Sequence, residues 1–180
     1  MNKEFDRVDN LMSMERMLGR DVVERLIDDG FTTAPASTKF HGAYDGGLID
    51  HSIKVTERLI ELTKREKLKW GRKESPYIVG MLHDLCKIDQ YEKLSEEEAE
   101  AQGKKYKYRQ TEIDGHGSKS VIYAARLIEL TEEEELCIRY HMGAFTEKEE
   151  WSEYTGAIHK YPNVFWTHNA DMIASHIDGV

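Results

Sequence analysis

Side chains that could bind metal ions stand out in one short stretch of this sequence. The pair His83-Asp84 follows the apolar run Tyr77-Ile-Val-Gly-Met-Leu82, and Lys87 comes one helical turn later. An imidazole next to a carboxylate is costly in an apolar environment unless a partner satisfies both groups. A divalent metal ion would do so. The stretch therefore predicts a metal site, provided that other parts of the chain supply ligands.

Further candidate ligands lie next to apolar helical segments rather than in polar tails: His51, His116, His141 and Asp171. Four helices packed on one central helix could bring them to a common point. Six nitrogen and oxygen ligands are too many for one tetrahedral zinc ion. They suit two divalent ions, which a carboxylate such as Asp84 can bridge. For each histidine taken alone, the alternative is a hydrogen-bonded core residue.

Helices are expected to position these residues. Apolar stripes predict two amphipathic helical segments within residues 7–29, separated by Gly19 and stopped by Gly30. The apolar run and its polar end predict a helix over 77–87, with Ser75 as the N-cap and Pro76 at the first helical position. Other helices are predicted after Leu48, after His116, after the capping box Thr131–Glu134 and over about 164–176.

The one clear strand signal is Lys104-Lys-Tyr-Lys-Tyr-Arg-Gln110, where charged and aromatic residues alternate. This pattern predicts a short strand or hairpin arm with Tyr106 and Tyr108 on one face. The predicted fold is therefore an all-α bundle with a small β insertion near residues 103–113. We expect a single domain over residues 1–180, with N-terminal helices in 1–37 and the metal-site core in 38–176.

Charge restricts the possible partners. The chain has 25 basic and 34 acidic residues and a net charge of −9, which argues against a protein that coats nucleic acid. A small nucleotide remains compatible, because a bound metal ion supplies local positive charge. The basic run at 64–73, which contains Trp70, could contact a nucleic-acid backbone. We favour a solvated helix C-terminus instead.

The compartment is expected to be the cytoplasm. The N-terminus is polar and lacks a hydrophobic signal region, and no run approaches the roughly 18–20 apolar residues of a membrane span. Cys86 and Cys137 both fall in predicted helices and suit reduced thiols. We predict no membrane partner, and the oligomeric state stays open.

The order of the candidate ligands resembles the HD superfamily of metal-dependent phosphohydrolases, in its variant with extra histidines that hold two metals. The resemblance covers roughly residues 38–176 and is strongest at Gly46–His51, Met81–Lys87 and Asn169–Ser175. The stretch Phe40–His51 is similar to the start of the HD domain in bacterial 3′-to-5′ exoribonucleases. Those enzymes also carry an OB-type nucleic-acid module, which a chain of this length is not expected to contain.

This resemblance implies an HD-type helical fold and hydrolysis of a phosphoester by a water or hydroxide between two ions. By position, one ion would take His51, His83, Asp84 and Asp171, and the other would take Asp84, His116 and His141. Iron, manganese, zinc, nickel, cobalt or magnesium would be the metal, since mixed imidazole and carboxylate ligands accept several ions.

The resemblance also implies a catalytic pair of Asp84 and Lys87, in which Lys87 contacts the phosphate. Cys86 stands where a glycine is frequent, and this small residue is expected to leave the metals in place. Lys119 could bind phosphate or be a surface lysine. His41 and Tyr44 could line the substrate mouth or simply belong to the loop before His51.

The predicted function is hydrolysis of a phosphoester in a nucleotide or a related small phosphorylated metabolite. One alternative is a nuclease or phosphodiesterase that acts on single-stranded RNA or DNA ends. The other is a sensor that binds metal and nucleotide without turnover.

Overall fold

Helices supply most of the regular structure in the computed structural model, which describes residues 3–113 and 115–180. The helices are α1 Lys3–Met12, α2 Glu15–Leu18, α3 Arg20–Asp28, α4 Gly47–Arg65, α5 Ser75–Leu82, α6 Glu96–Gln102, α7 His116–Ala125, α8 Glu132–Arg139, α9 Trp151–Lys160 and α10 Asn163–Ile173. The strands are β1 Tyr91–Lys93 and β2 Tyr106–Tyr108. The predicted all-α fold with a small β insertion is confirmed.

Helix α4 lies at the centre and packs mainly against α5 and α10. Helix α5 is buried on nearly every face, as expected for a segment without a polar side. Helices α4 and α5 are in direct contact at Gly80. A Cβ added there would be only 2.4 Å from Thr56 Oγ1 of α4, so the contact requires glycine. Among the helices of the described ranges, none is both long enough and apolar enough to traverse a membrane.

Helix α5 ends at Leu82, and the prediction of one helix over 77–87 is therefore wrong. His83 and Asp84 lie in a turn, and a short 3₁₀ helix follows at Leu85–Ile88. The His83 ring binds the Gly80 carbonyl, which in a continued helix would accept the Asp84 N–H. The residue that precedes the helix is Glu74, so Ser75 is not the N-cap.

The N-terminal segment forms three helices, α1 to α3, where two were predicted. Gly19 separates α2 from α3 with a positive φ of 96°, which matches its predicted role. Arg7 in α1 donates two hydrogen bonds to the Asp50 carboxylate, at 2.9 and 2.8 Å. This ion pair ties α1 to the start of α4.

The β insertion is a two-stranded antiparallel hairpin in which Tyr91 pairs with Tyr108. Strand β2 lies within the predicted strand segment. Its partner β1 was not predicted, because the residues around Tyr91–Lys93 show no sustained alternation. Between the strands lies α6, which begins with a capping box formed by Ser95 and Glu98. Tyr106 and Tyr108 are two positions apart in β2, where side chains share a face, but only Tyr106 is buried.

Candidate metal centre

The six predicted metal ligands meet at one place although they come from separate elements. They are supplied by α4 (His51), the turn after α5 (His83 and Asp84), the first residue of α7 (His116), the turn after α8 (His141) and α10 (Asp171). A close approach of α7 and α8 helps to assemble them. A Cβ added at Gly117 would lie 1.9 Å from the Arg139 carbonyl oxygen, so only glycine allows this approach.

Asp84 lies at the centre, and its two oxygens face different histidines. Oδ1 is 2.8 Å from His116 Nε2 and 3.4 Å from His141 Nε2. Oδ2 is 3.3 Å from His83 Nε2 and 3.5 Å from His51 Nε2. The four imidazoles are thus divided into two pairs, one on each carboxylate oxygen.

Asp171 joins the pair on the Oδ2 side. Its Oδ1 lies 3.2 Å from His51 Nε2. His51, His83 and Asp171 are close enough together to bind one ion. Asp84, His83 and His141 are also close enough together to bind one ion. The described residues therefore include buried groups that could hold a metal ion.

Hydrogen bonds on the far side of three imidazoles fix which ring nitrogen faces the centre. Nδ1 of His51, of His83 and of His141 lies against a backbone carbonyl. The acceptors are, in that order, Val180 at 2.9 Å, Gly80 at 2.9 Å and Ile138 at 2.7 Å. A carbonyl oxygen only accepts, so Nδ1 must carry the hydrogen and a neutral ring presents its Nε2 lone pair.

The Nε2 atoms of the four rings lie close to one another, and at His51 and His83 this brings two lone pairs together. His51 Nε2 lies 3.3 Å from His83 Nε2, and His141 Nε2 lies 3.1 Å from His116 Nε2. Two nitrogen lone pairs at such a distance repel each other unless a proton or a metal ion lies between them. The donor set and its orientation therefore fit a metal site.

Both carboxylates of the site are ionised. Burial opposes a charge on Asp84, but the Lys87 ammonium group and the hydrogen bonds to His116 and His141 outweigh it and hold the pKa well below its ordinary value. Burial also opposes a charge on Asp171, while the bond to His51 and the other nearby histidines lower its pKa. Two negative charges therefore lie where cations would be bound.

The histidines differ in their protonation. Burial lowers the pKa of His83 and of His116, so both rings favour the neutral form that ligates metals. Burial opposes a charge on His141 as well, yet its bond to Asp84 raises its pKa. A proton on His141 is the competitor that a metal ion would displace.

Cys86 is buried behind His116, with Sγ 3.2 Å from the ring Nδ1. Burial raises the pKa of its thiol to about 12, so the thiol stays protonated at neutral pH. Asp84, Cys86 and His116 are also close enough to share an ion. A protonated thiol is a poor ligand, however, and its position suits orientation of the His116 ring.

A cavity of about 580 Å³ opens onto the cluster and is lined by Asp84, His116, His141 and Asp171. Phe40 and Phe145 also line it, although 77% and 66% of their surfaces are exposed. They therefore lie at its mouth. Neither was predicted as a site residue; the available signal was an aromatic residue in a glycine-containing turn near a ligand. Tyr91, His168 and His176 also line the cavity.

Lys87 lies in this cavity, but its ammonium group binds Asp84. Nζ is 2.7 Å from Asp84 Oδ2, and the side chain is largely buried. Burial opposes its charge, but Asp84 outweighs burial and raises the pKa, so the lysine is charged. The contact in this structure is with the predicted bridging carboxylate.

The structure brings His41 to the cavity and keeps Tyr44 and Lys119 away from it. The His41 ring lies 5.4 Å from the His51 ring, and burial lowers its pKa to about 4. The Tyr44 hydroxyl instead donates to Asp50 at 3.0 Å. Lys119 is buried and donates to Asp89 at 2.6 Å and also to Thr111, so it is neither a surface lysine nor a residue of the cavity.

The basic run at 64–73 is partly neutralised within the fold. Arg72 binds Glu134, and Arg65 binds Glu66. Trp70 is half-buried against the core and donates its indole N–H to Thr63 at 3.0 Å. Only Lys64 and Arg65 belong to the C-terminus of α4, so the interpretation of the whole run as a solvated helix C-terminus holds for its first two residues.

A scan against models of protein families, a search of curated proteins and a search of solved structures find no match for this chain.

Proposed function

We propose that this protein is a metal-dependent phosphohydrolase of the HD type that acts on a nucleotide or a related phosphorylated metabolite. The observation that carries the proposal is the division of the histidines between the two oxygens of Asp84. A carboxylate with ligands on both oxygens is suited to bridge two ions.

The residues of the two groups would hold the ions as follows: His51, His83, Asp84 and Asp171 on one side, and Asp84, His116 and His141 on the other. Four imidazoles favour a transition metal over magnesium, which prefers oxygen ligands and retains its waters. When bound, such ions supply activation of water and stabilisation of charge on phosphate oxygens.

The chain itself would bind and orient the substrate. Lys87 brings a positive charge to the cavity that contains Asp84, where a phosphate oxygen could accept from its ammonium group. The exposed rings of Phe40 and Phe145 at the mouth offer flat apolar surfaces on which a nucleobase could stack. This combination of charge and aromatic surface favours a nucleotide over a purely aliphatic phosphate ester.

The proposal is tested by metal analysis and hydrolysis assays on the purified protein. We expect about two transition-metal ions per chain, together with hydrolysis of 4-nitrophenyl phosphate or bis(4-nitrophenyl) phosphate. Asp84→Asn should lose both the metal and the activity. The matched control is Asp28→Asn, which changes an exposed aspartate on α3. A wild-type protein that binds no divalent ion at neutral pH would contradict the proposal.

A further inference from the structure

A second cavity, of about 610 Å³, adjoins the metal cavity. The two share Phe40 and His41, which line both. One wall of the second cavity is the loop 38–44. The other comes from the β insertion, at the end of α6 and the turn into β2. A ligand bound in the metal cavity can therefore extend past Phe40 into this second cavity.

The charged side chains of this cavity are three lysines: Lys39, Lys104 and Lys105. Among the described residues that line it, none is acidic. This is unusual for a chain with a net charge of −9. Lys39 and Lys105 are exposed and Lys104 is half-buried, so their ammonium groups are accessible to a ligand.

A carboxylate close to this cavity, that of Asp45, is already occupied. Asp45 accepts from Lys93 at 2.6 Å and from the Tyr106 hydroxyl at 2.7 Å. These bonds hold both strands of the insertion against the loop before α4. Lys105 is a minor contributor to the lowered pKa of Asp45, behind Lys93 and Tyr106. The Asp45 carboxylate therefore does little to neutralise the lysine cluster.

We infer that this lysine cavity is an accessory phosphate subsite, which binds a second phosphate group of the substrate while the first lies at the metal centre. This inference rests on the proposed function and narrows its substrate to nucleotides with more than one phosphate. The second phosphate could belong to a nucleoside polyphosphate or to the next nucleotide of a short single strand. The exposed Phe40 ring lines both cavities and is placed to stack on a base of the substrate bound beside its phosphates.

The experiment compares the wild type with the variant Lys39→Ala/Lys104→Ala/Lys105→Ala. The measured quantity is the ratio of kcat/KM for an extended substrate to kcat/KM for bis(4-nitrophenyl) phosphate, which has a single phosphate. The extended substrates are a thymidine tetranucleotide and a nucleoside triphosphate. We expect the variant to lower this ratio by about tenfold or more, since three lysine–phosphate contacts are removed.

Salt dependence gives a second readout. For the tetranucleotide, each neutralised phosphate contributes about 0.7 to the slope of log affinity against log salt concentration. Isothermal titration calorimetry with the tetranucleotide and with pyrophosphate should therefore show a shallower slope for the variant. A loss confined to the tetranucleotide identifies a nucleic-acid end as the source of the phosphate, and a loss confined to pyrophosphate and the triphosphate identifies a polyphosphate.

The control variant Lys64→Ala/Lys67→Ala/Lys69→Ala removes the same charge from exposed positions that line neither cavity. It should leave the ratio and both affinities unchanged. An equal loss in the control would assign the effect to net charge and overturn the subsite. An unchanged ratio and unchanged affinities in the cavity variant would overturn it as well. A wild type that hydrolyses no substrate would instead contradict the proposed function.

Discussion

Lys87 and Lys119 are both largely buried, and both bind an aspartate. Lys87 reaches Asp84 in the metal cavity, whereas Lys119 reaches Asp89 outside it. The ammonium groups of these two lysines are therefore expected to have different roles. Replacing each lysine in turn by methionine, which has a side chain of similar length and no charge, distinguishes the two roles.

Lys87→Met is expected to keep the metal and lose activity. The change removes a positive charge beside Asp84, so metal binding should be retained or strengthened. If Lys87 donates to a phosphate oxygen, hydrolysis should fall by about 10²-fold, the usual effect of losing one such donor. Metal analysis and kcat/KM on the same sample check this. Full activity with full metal content would exclude a phosphate contact.

Lys119→Met is expected to affect stability instead. It leaves Asp89 and Thr111 without their shared donor, which should lower the free energy of unfolding by about 1–3 kcal/mol. Urea titration measures the change, with Lys148→Met at an exposed position as the control. A selective loss of hydrolysis at unchanged stability would restore the predicted substrate role.

At the scale of elements, close contacts between helices decide where the ligands lie. Gly80 allows α5 to approach α4, which brings His83 to His51. Gly117 allows α7 to approach the end of α8, which brings His116 to His141. Each glycine therefore stands at a helix crossing that assembles one pair of imidazoles.

Gly117→Ala tests this role. The added Cβ would collide with the Arg139 carbonyl, so we expect a loss of about 1–3 kcal/mol in the free energy of unfolding. Because His116 is the preceding residue, metal content should fall as well. Both are measurable on one preparation, by urea titration and metal analysis.

The control for this substitution is Gly156→Ala in α9, where an added Cβ has no atom within 4 Å among the described residues. A helical glycine replaced by alanine without a clash should raise stability by about 0.5–1 kcal/mol. If Gly117→Ala behaved in the same way, the close approach of α7 and α8 would not be what positions His116.

At the scale of the whole molecule, the buried Glu134 joins distant parts of the fold. Its side chain is fully buried and accepts from Arg72 at 2.8 and 2.7 Å and from the Thr131 N–H at 2.9 Å. Burial opposes its charge, but Arg72 and Thr131 outweigh burial and lower its pKa. The carboxylate therefore contributes stability that depends on pH.

The sign of that dependence follows from the lowered pKa. The contribution is fully present above the ordinary glutamate pKa of about 4.3 and is lost as pH falls through the lower pKa of the folded state. Thermal unfolding from pH 7 to pH 3, with EDTA to remove metal, should show Tm falling below about pH 4.5. Glu134→Gln should have a lower Tm at pH 7 and a smaller dependence on pH.

Glu135→Gln, at the exposed neighbouring position, is the control and should keep the wild-type profile. If Glu134→Gln retained the full acid dependence, other carboxylates would be responsible for it.

Much of the fold was predictable because its signals are local. Apolar stripes and the capping box Thr131–Glu134 depend on residues within a few positions of one another, and they correctly placed α8 and the all-α class. Residue type also identified the six donors that converge, since a histidine or an aspartate beside an apolar helix needs a partner. Whether these donors bind metal stays a prediction.

Contacts between distant residues decided the rest. Only packing sets the split of the histidines between the oxygens of Asp84, and only packing turns Lys119 toward Asp89 rather than toward the cavity. His51 is oriented by Val180, which is 129 positions away in the sequence. The lysine cavity likewise exists because the insertion folds back onto the loop 38–44. No local pattern records such contacts, because they form only when the helices and the hairpin pack together.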